Sequence, residues 1–251
     1  MVYLAAVVIT YNEAPNIQRC LQSLRPVADQ LLVVDSYSTD ETVPIAQEAG
    51  AEVCYHPFKS HIDQKNYAMQ AARYDHILSV DADEVLSPEL QASIQAEKAK
   101  GLPFAYTLKR LTNYCGQWIY HCGWYPDQKL RLWHRYYGSW GGVNPHDKVV
   151  LHRPVKTTSL NGHLLHYSFP SIEHHVATSN KFSTIVAQEH YQQQHPPSLL
   201  LKVLLNPVFT FWKKYLLQGG FRDGFYGLVI CLISSYYNFL KYAKTWALFY
   251  R

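Results

Sequence analysis

Apolar and polar positions along the first hundred residues alternate between two periods. Leu4–Ile9 is a short unbroken apolar run rich in Val and Ala, the pattern of a strand buried on both faces. Asn12–Pro15 turns the chain, and Ile17, Cys20, Leu21 and Leu24 then fall at i, i+3, i+4 and i+7, one stripe of a helix. Leu31–Val34 is a second strand, ending on Asp35. A polar turn leads into a helix around Glu41–Ala49, stopped by Gly50. Glu52–Tyr55 is a third strand, Asp63–Ala72 a helix, His76–Val80 a fourth strand ending on Asp81, and Pro88–Lys100 a helix closed by Gly101. Such alternation predicts an α/β fold, a mostly parallel sheet with helices on both faces. Ligands of these sheets bind beyond the carboxyl ends of the strands, which singles out Thr10–Glu13, Asp35–Asp40 and Asp81–Glu84 together.

The pattern changes over residues 102–168, where Tyr106–Leu111 and Lys129–Trp133 alternate like strands and the linking segments carry Gly, Trp, Tyr and His. From about Ser171 the chain reads as helical, and its last 53 residues are strongly apolar. The domains expected are 1–170, divided into a nucleotide-binding half (1–100) and an acceptor-binding half (101–170), and a helical region at 171–251.

Composition narrows the class. Hydrophobic residues make up 48%, aromatics 14% and charged residues 17% of the 251. These values exclude a disordered polyelectrolyte, a collagen and a coiled coil. The net charge of +4 conceals an asymmetry: residues 1–100 carry 14 acidic against 7 basic side chains, and the remainder 5 against 16. Five cysteines without a CxxC pair read as reduced thiols. The first residues have neither the positive charge nor the small-residue cleavage site of a secretory signal, so a cytoplasmic protein is expected.

The sharpest chemical signal is Ser79-Val80-Asp81-Ala82-Asp83-Glu84. Three carboxylates crowded onto one strand end repel one another unless a cation sits there. Mg²⁺ and Mn²⁺ take one or two carboxylates and complete their shell with phosphate oxygens and water. The other reading is a solvated acidic turn capping the next helix. Neither GxxxxGK[ST] nor GxGxxG occurs, so a nucleotide would be held by metal and side chains, which argues against kinases, ATPases and dehydrogenases.

Val8-Ile9-Thr10-Tyr11-Asn12-Glu13, Val33-Val34-Asp35-Ser36-Tyr37-Ser38-Thr39-Asp40-Glu41-Thr42 and Ser79–Glu84 together resemble family 2 inverting glycosyltransferases of GT-A fold. Gln64-Lys65-Asn66-Tyr67-Ala68, Gly123-Trp124-Tyr125-Pro126-Asp127 and Lys129-Leu130-Arg131-Leu132-Trp133 are similar to the branch that includes bacterial lipopolysaccharide-core β-glucosyltransferases. The resemblance covers residues 3–170. It implies that Thr10, Tyr11 and Glu13 line a uridine pocket, that Asp35 binds uracil or ribose, and that Asp81 lies near ribose and metal. Asp83 is then the direct ligand of Mg²⁺ or Mn²⁺, with Asp81 beside it. Asp40 is read as a helix cap, and Lys65 either as a nucleotide contact or as a solvated helix lysine.

Inverting transfer needs a general base for the acceptor hydroxyl. The candidate is Asp147, in Trp140-Gly141-Gly142-Val143-Asn144-Pro145-His146-Asp147-Lys148, where the resembling family often has His-Glu; Asp127 is the alternative. Arg131 suits a diphosphate or acceptor contact, or else is a strand cation. Trp118, Trp124, Trp133 and Trp140 offer aromatic faces for an acceptor sugar, with core packing as the other account. The acidic nucleotide end would repel a polyanion, so nucleic acid is not an expected partner. His163, His166, His174 and His175 lack metal spacing and read as structural or surface residues.

Leu199–Leu217 and Gly224–Leu240 are apolar stretches set among Lys202, Lys213, Lys214, Lys241, Lys244 and Arg251 with Trp212, Tyr215, Tyr242, Trp246 and Tyr250. The second falls short of the roughly 20 residues a span needs. An interfacial position on the anionic inner face of the cell membrane fits better; a true span and a buried helical hairpin are the alternatives. The expectation is thus a metal-dependent transferase moving sugar from a nucleotide-diphosphate donor, UDP-linked, to a membrane-anchored glycan or glycolipid. A polyprenyl-phosphate glycosyl synthase, a nucleotidyltransferase and a non-catalytic sugar-nucleotide-binding scaffold are its rivals. Nothing in the sequence fixes the oligomeric state.

Overall fold

The computed structural model describes residues 2–143, 146–194 and 199–250. Asn144, Pro145 and Arg251 of the stretches singled out above lie outside the described residues. Two compact units divide the chain: Met1–Arg110 with Asp127–His166, and Leu111–Pro126 with Tyr167–Arg251. Segment 111–126, assigned to the first domain by the sequence pattern, thus groups with the C-terminal helices.

The first unit opens with β1 (Leu4–Thr10), α1 (Ala14–Leu24), β2 (Gln30–Asp35), α2 (Thr42–Glu48), β3 (Glu52–Tyr55), α3 (His61–Ala71) and β4 (His76–Asp81). β5 (Glu84–Leu86) and α4 (Pro88–Ala99) follow, then β6 (Ala105–Tyr114), whose far end pairs with β7 (Gln117–Ile119) in the second unit. β8 (Asp127–His134), the hairpin β9 (Gly138–Val143) and β10 (His146–Leu151), and β11 (Thr157–Phe169) complete the strands. The large sheet runs β3-β2-β1-β4-β8-β6-β11-β5. β1 to β4 pair in parallel, whereas β8 joins β4 and β6, and β11 joins β5, antiparallel. The predicted alternation stands, and the mixed edge is added to it.

Side-chain burial explains why β1 reads as continuously apolar. Leu4, Ala6 and Val8 pack against Ile17, Cys20, Leu21 and Leu24 of α1. Ala5 and Val7 point the other way, onto Ala68 and Met69 of α3. Both faces are covered along residues 4–8, which is why that stretch is continuously apolar and the polar Thr10 comes only at the strand's end. Helix starts are set locally: Ser60 Oγ accepts from Asp63 N–H at 3.1 Å and Ser87 Oγ from Leu90 N–H at 3.2 Å, with Pro88 leading α4.

What positions the site is register. Thr10 stands opposite Asp35 across β1 and β2, and Ile9 opposite Asp81 across β1 and β4. Three strand ends therefore present their polar residues along one edge of the sheet.

The second unit contains α5 (Ile172–Gln192), α6 (Leu199–Trp212), a π-helical turn at Lys213–Leu217, a 3₁₀ turn at Gly220–Asp223 and α7 (Gly224–Phe249). α7 packs on both α5 and α6. Ser235 donates to the Pro207 carbonyl at 2.7 Å, and Asn238 donates to Thr210 Oγ1 at 3.1 Å. Those polar groups tie helix to helix. Lys244 is likewise spent internally, its amine donating to Asn180, Ser183 and Thr184 of α5, so it is not a headgroup cation in this arrangement.

Among the described residues no single helix is long and apolar enough to cross a membrane; Lys202–Leu217 and Gly220–Phe249 pass that test only as a pair bent by 71°. α6 nevertheless turns Leu204, Leu205, Val208, Phe209 and Trp212 outward. All five cysteines are free, and Cys122 and Cys231 lie buried with sulfurs 3.9 Å apart.

The core of this unit gathers Tyr114, Ile119, Cys122, Ile230 and Cys231, with Trp124 and Phe169 against them. His175 is buried there, its Nδ1 3.0 Å from the Tyr114 hydroxyl, and burial pushes its imidazole down to about 4. An unfolded histidine, with a value of about 6.5, binds a proton that the native one refuses, so stability is lost as pH falls from about 6.5 to about 4. Between pH 7.5 and 5 the fold is expected to lose about 2 kcal/mol through this group. Urea midpoints at the two pH values read it, and His175→Gln should flatten the difference; an unchanged slope in that variant would place the pH sensitivity elsewhere.

Candidate active site

The loops after β1 and β2 are laced to each other. Asn12 adopts φ 54, the left-handed region that Asn tolerates better than most residues. Its N–H donates to Ser38 Oγ at 2.8 Å, and its Oδ1 accepts from Thr39 N–H at 2.9 Å. Asp35 is fully buried; one carboxylate oxygen accepts from Ser38 N–H at 2.8 Å and the other accepts from the Ser38 hydroxyl. Asp40 accepts from Thr42 N–H at 3.0 Å, at the start of α2, and from Ala14 N–H at 3.2 Å, at the start of α1. Both aspartates hold this loop pair in shape.

Around that frame stand Tyr11, more than half exposed, and Glu13, whose carboxyl is raised by burial against the opposing hydrogen bond from Asn16. Thr10 is buried, and its Oγ1 has no hydrogen-bond partner among the described residues.

α3 supplies three consecutive polar side chains with three separate partners. Gln64 is fully buried and donates to Ser36 Oγ at 3.0 Å and to the His56 carbonyl at 3.2 Å. Asn66 pairs with the main chain of Trp140 in both directions, each at 2.9 Å, and so fixes β9 to the helix. Between them Lys65, 5% exposed, reaches Asp81 Oδ1 at 3.0 Å and Asp147 Oδ2 at 2.8 Å. It is no solvated lysine. Asp147 arrives because β10 pairs it with Gly142, two residues beyond the anchored Trp140.

A second cation stands on the other side of Asp81. Arg131 Nη2 lies 2.9 Å from Asp81 Oδ2 and 2.9 Å from Glu84 Oε1, and is 3% exposed. Glu84, fully buried, also accepts from Asp81 N–H at 3.0 Å. Burial alone would raise the Asp81 carboxyl, but Arg131 and Lys65 outweigh it and hold it well below the usual carboxylate range. Burial would likewise lower Arg131, yet Asp81 and Glu84 drive it above its ordinary value. Nε and Nη1 of Arg131 are buried without partners.

The Trp140 ring lies under both cations, 4.4 Å from Lys65 Nζ and 5.3 Å from the Arg131 guanidinium carbon, and edge-on to Trp133. Trp140 is therefore buried packing here, not an open platform for a sugar. Trp124 is in the second unit, stacked on Phe169 at 5.4 Å and edge-on to Tyr114 and His175. Trp133 is fully buried. Aromatic content announced stacking faces; the fold covers them with its own side chains.

Asp127 is gripped by Arg110 Nη2 at 2.7 Å and Lys129 Nζ at 3.1 Å. Burial pushes its carboxyl up, but the two cations prevail and lower it, which weakens it as a base. Asp147 has a freer carboxylate: its Oδ2 is bound to Lys65, and its Oδ1 accepts nothing from the described residues.

One pair was missed from sequence. His166 Nε2 lies 3.1 Å from Asp83 Oδ2, because β11 runs against β5 with His166 opposite Glu84. Eighty-odd positions separate the two residues, and only the antiparallel pairing joins them.

A profile of the family described as Glycosyl transferase family 2 matches residues 5–155, which include Lys65, Asp81, Asp83, Glu84, Asp127, Arg131 and Asp147 but not His166. The chain belongs to glycosyltransferase family 2. An uncharacterised glycosyltransferase of Rickettsia bellii is 34% identical over 251 residues, spanning 96% of this chain and 85% of that one. The lipopolysaccharide core biosynthesis glycosyltransferase LpsC of Rhizobium meliloti is 26% identical over 253 residues, spanning 96% and 91%. Among solved structures, glucosyl-3-phosphoglycerate synthase of Mycobacterium tuberculosis, with Mn²⁺, uridine diphosphate and glucosyl-3-phosphoglycerate, matches 45% of this chain and 44% of its own at TM-score 0.38 and 22% identity.

In this family 2 glycosyltransferase the ends of β1, β2 and β4 bring Thr10, Asp35 and Asp81 to one edge of the sheet. Four carboxylates (Asp81, Glu84, Asp127, Asp147) are matched by four cations (Lys65, Arg110, Arg131, Lys129) in one linked network.

Proposed function

We propose that the enzyme is a metal-dependent inverting transferase that moves a sugar from a uridine-diphosphate donor to a hydroxyl of a membrane-anchored glycan. The observation that carries this reading is the meeting of Asp81, Lys65 and Asp147: a strand-end carboxylate and a hairpin carboxylate share one buried ammonium. Thr10 fits a nucleotide contact because its buried hydroxyl lacks a partner. Tyr11 and Glu13 flank it. Asp35 acts by holding the Ser36–Asp40 loop, and a direct contact to uracil or ribose would require one of its oxygens to leave Ser38.

The residues present fit a divalent ion. Two ligand atoms on one octahedral ion with bonds of about 2.1 Å stand about 3.0 Å apart, and Asp83 Oδ2 and His166 Nε2 are 3.1 Å apart. Among the described residues no group of three such side chains gathers, so the remaining positions fall to diphosphate oxygens and water. Both Asp81 oxygens are already held by cations, which makes His166 rather than Asp81 the partner of Asp83. Mg²⁺ or Mn²⁺ bound there would stabilise charge developing on the departing diphosphate.

Asp147 would take the acceptor proton through its Oδ1 while Lys65, bound to its Oδ2, orients the carboxylate. Arg131 is a positioning residue that holds Asp81. LpsC, named for lipopolysaccharide core biosynthesis, supports a glycolipid acceptor. The outward apolar face of α6 supports peripheral attachment to the inner face of the cell membrane.

Release of nucleoside diphosphate from a panel of nucleotide sugars, with and without Mn²⁺, tests the donor reading; no release under any condition would overturn it. In UDP-binding titrations with and without Mn²⁺, Asp83→Ala and His166→Ala are each expected to abolish the metal-dependent part of UDP affinity. Metal-dependent affinity that survives His166→Ala would remove that residue from the site.

A further inference from the structure

The second unit holds a pocket of about 540 Å³. Its polar wall comes from Tyr120, His121 and Tyr125 on one segment and Gln218 and Arg222 on another, nearly a hundred positions on.

That wall is built, not incidental. Asp223, 5% exposed, accepts from the His121 N–H at 2.8 Å and from its ring Nδ1 at 2.7 Å. Nδ1 therefore carries the proton, and Nε2 is the ring's remaining polar atom. A Cβ on Gly123 would stand 2.3 Å from Gln218 Oε1, so only glycine lets the Gln218 side chain lie there. That Oε1 is buried and has no hydrogen-bond partner. Tyr120 and Tyr125 meet edge to face at 5.5 Å. Arg222 is exposed, and no carboxylate lies within ion-pair distance of it among the described residues.

The rim has the opposite character. Leu216, Leu217 and Phe221 line the same pocket and are 52%, 82% and 52% exposed. Exposed apolar side chains around an uncompensated cation suit a ligand that is anionic at its head and apolar beyond it. The surrounding chain agrees in charge: residues 199–251 carry seven basic side chains, of which Lys214 and Lys244 are held internally, against one acidic one, the buried Asp223.

We infer that this pocket binds the phosphate-bearing head group of an anionic membrane lipid, with Leu217 and Phe221 inserted into the hydrocarbon around it. Arg222 meets the phosphate, and the Gln218 amide oxygen takes a head-group hydroxyl. The inference rests on peripheral membrane attachment and gives that attachment a specific lipid contact.

Co-sedimentation of the full chain with phosphatidylcholine vesicles, with and without phosphatidylglycerol, tests it. Two substitutions keep net charge constant: Arg222→Lys, at an exposed position, and Gln218→Leu. Diffuse attraction to an anionic surface depends on charge alone and ignores both. The pocket requires each of them to weaken binding to phosphatidylglycerol vesicles about tenfold. Wild-type binding in both variants overturns the pocket and leaves peripheral attachment standing. No wild-type preference for phosphatidylglycerol vesicles overturns the lipid contact and, if neither vesicle is bound, the attachment as well. Neither result touches the donor reading, which is assayed in solution without lipid.

Discussion

Asp147→Asn is expected to lower kcat about 10³-fold, within the 10²–10⁴ span typical of a lost general base, while UDP affinity stays within twofold. That loss corresponds to about 4 kcal/mol of barrier. The amide keeps the size of the carboxylate and can still accept from Lys65, which lies 2.8 Å from the acid in the native site. What it cannot do is take a proton. Asp127→Asn is the paired control: its carboxylate is held by Arg110 and Lys129, so its loss should cost turnover far less. Steady-state kinetics with a saturating donor distinguishes them. A large kcat loss in Asp127→Asn with little change in Asp147→Asn would reverse the assignment.

Arg131→Met should be the most destabilising single change in the site. It leaves Glu84, fully buried, and Asp81 without their shared guanidinium. Removing one partner of a buried pair costs about 3–5 kcal/mol when the charge is left alone. Lys65, 3.0 Å from Asp81, and Arg110, 3.5 Å from Glu84, retain part of the compensation, so the low end, about 3 kcal/mol, is expected. For a chain of this size that is a fall in Tm of roughly 10 °C. The double variant Arg131→Met with Glu84→Gln should recover part of the loss, since the amide no longer buries a full charge. Thermal unfolding measures both, and a shift below about 2 °C in the single variant would mean that Lys65 and Arg110 suffice to hold Asp81 and Glu84.

Much of the front half was legible because its determinants are local. A strand buried on both faces must be continuously apolar, and the α1 stripe of Ile17, Cys20, Leu21 and Leu24 is the face that packs on it. Strand-end aspartates follow from the same periodicity. The rest depends on partners far away in the chain. β5 is three residues long and pairs with β11, about eighty positions on, so nothing near Glu84 announces it. The same pairing delivers His166, whose neighbours in sequence gave no metal spacing. Tryptophans were legible as aromatic content but not as to which face stays open: Trp140 is covered by Lys65 and Arg131, and Trp124 by Phe169. Lysine content misled in the same way at Lys214, whose amine donates to the Cys122 carbonyl at 2.8 Å.

Gln64, Lys65 and Asn66 sit on one turn of α3, yet each fastens to a different part of the first unit. Successive helical residues project about 100° apart, so the three fan outward like spokes. A deletion or insertion inside α3 would turn all three at once and disconnect the β2 loop, Asp81 with Asp147, and the β9 hairpin together. Chimaeras between relatives should therefore exchange α3 and the β9–β10 hairpin as one block, with crossovers placed outside both.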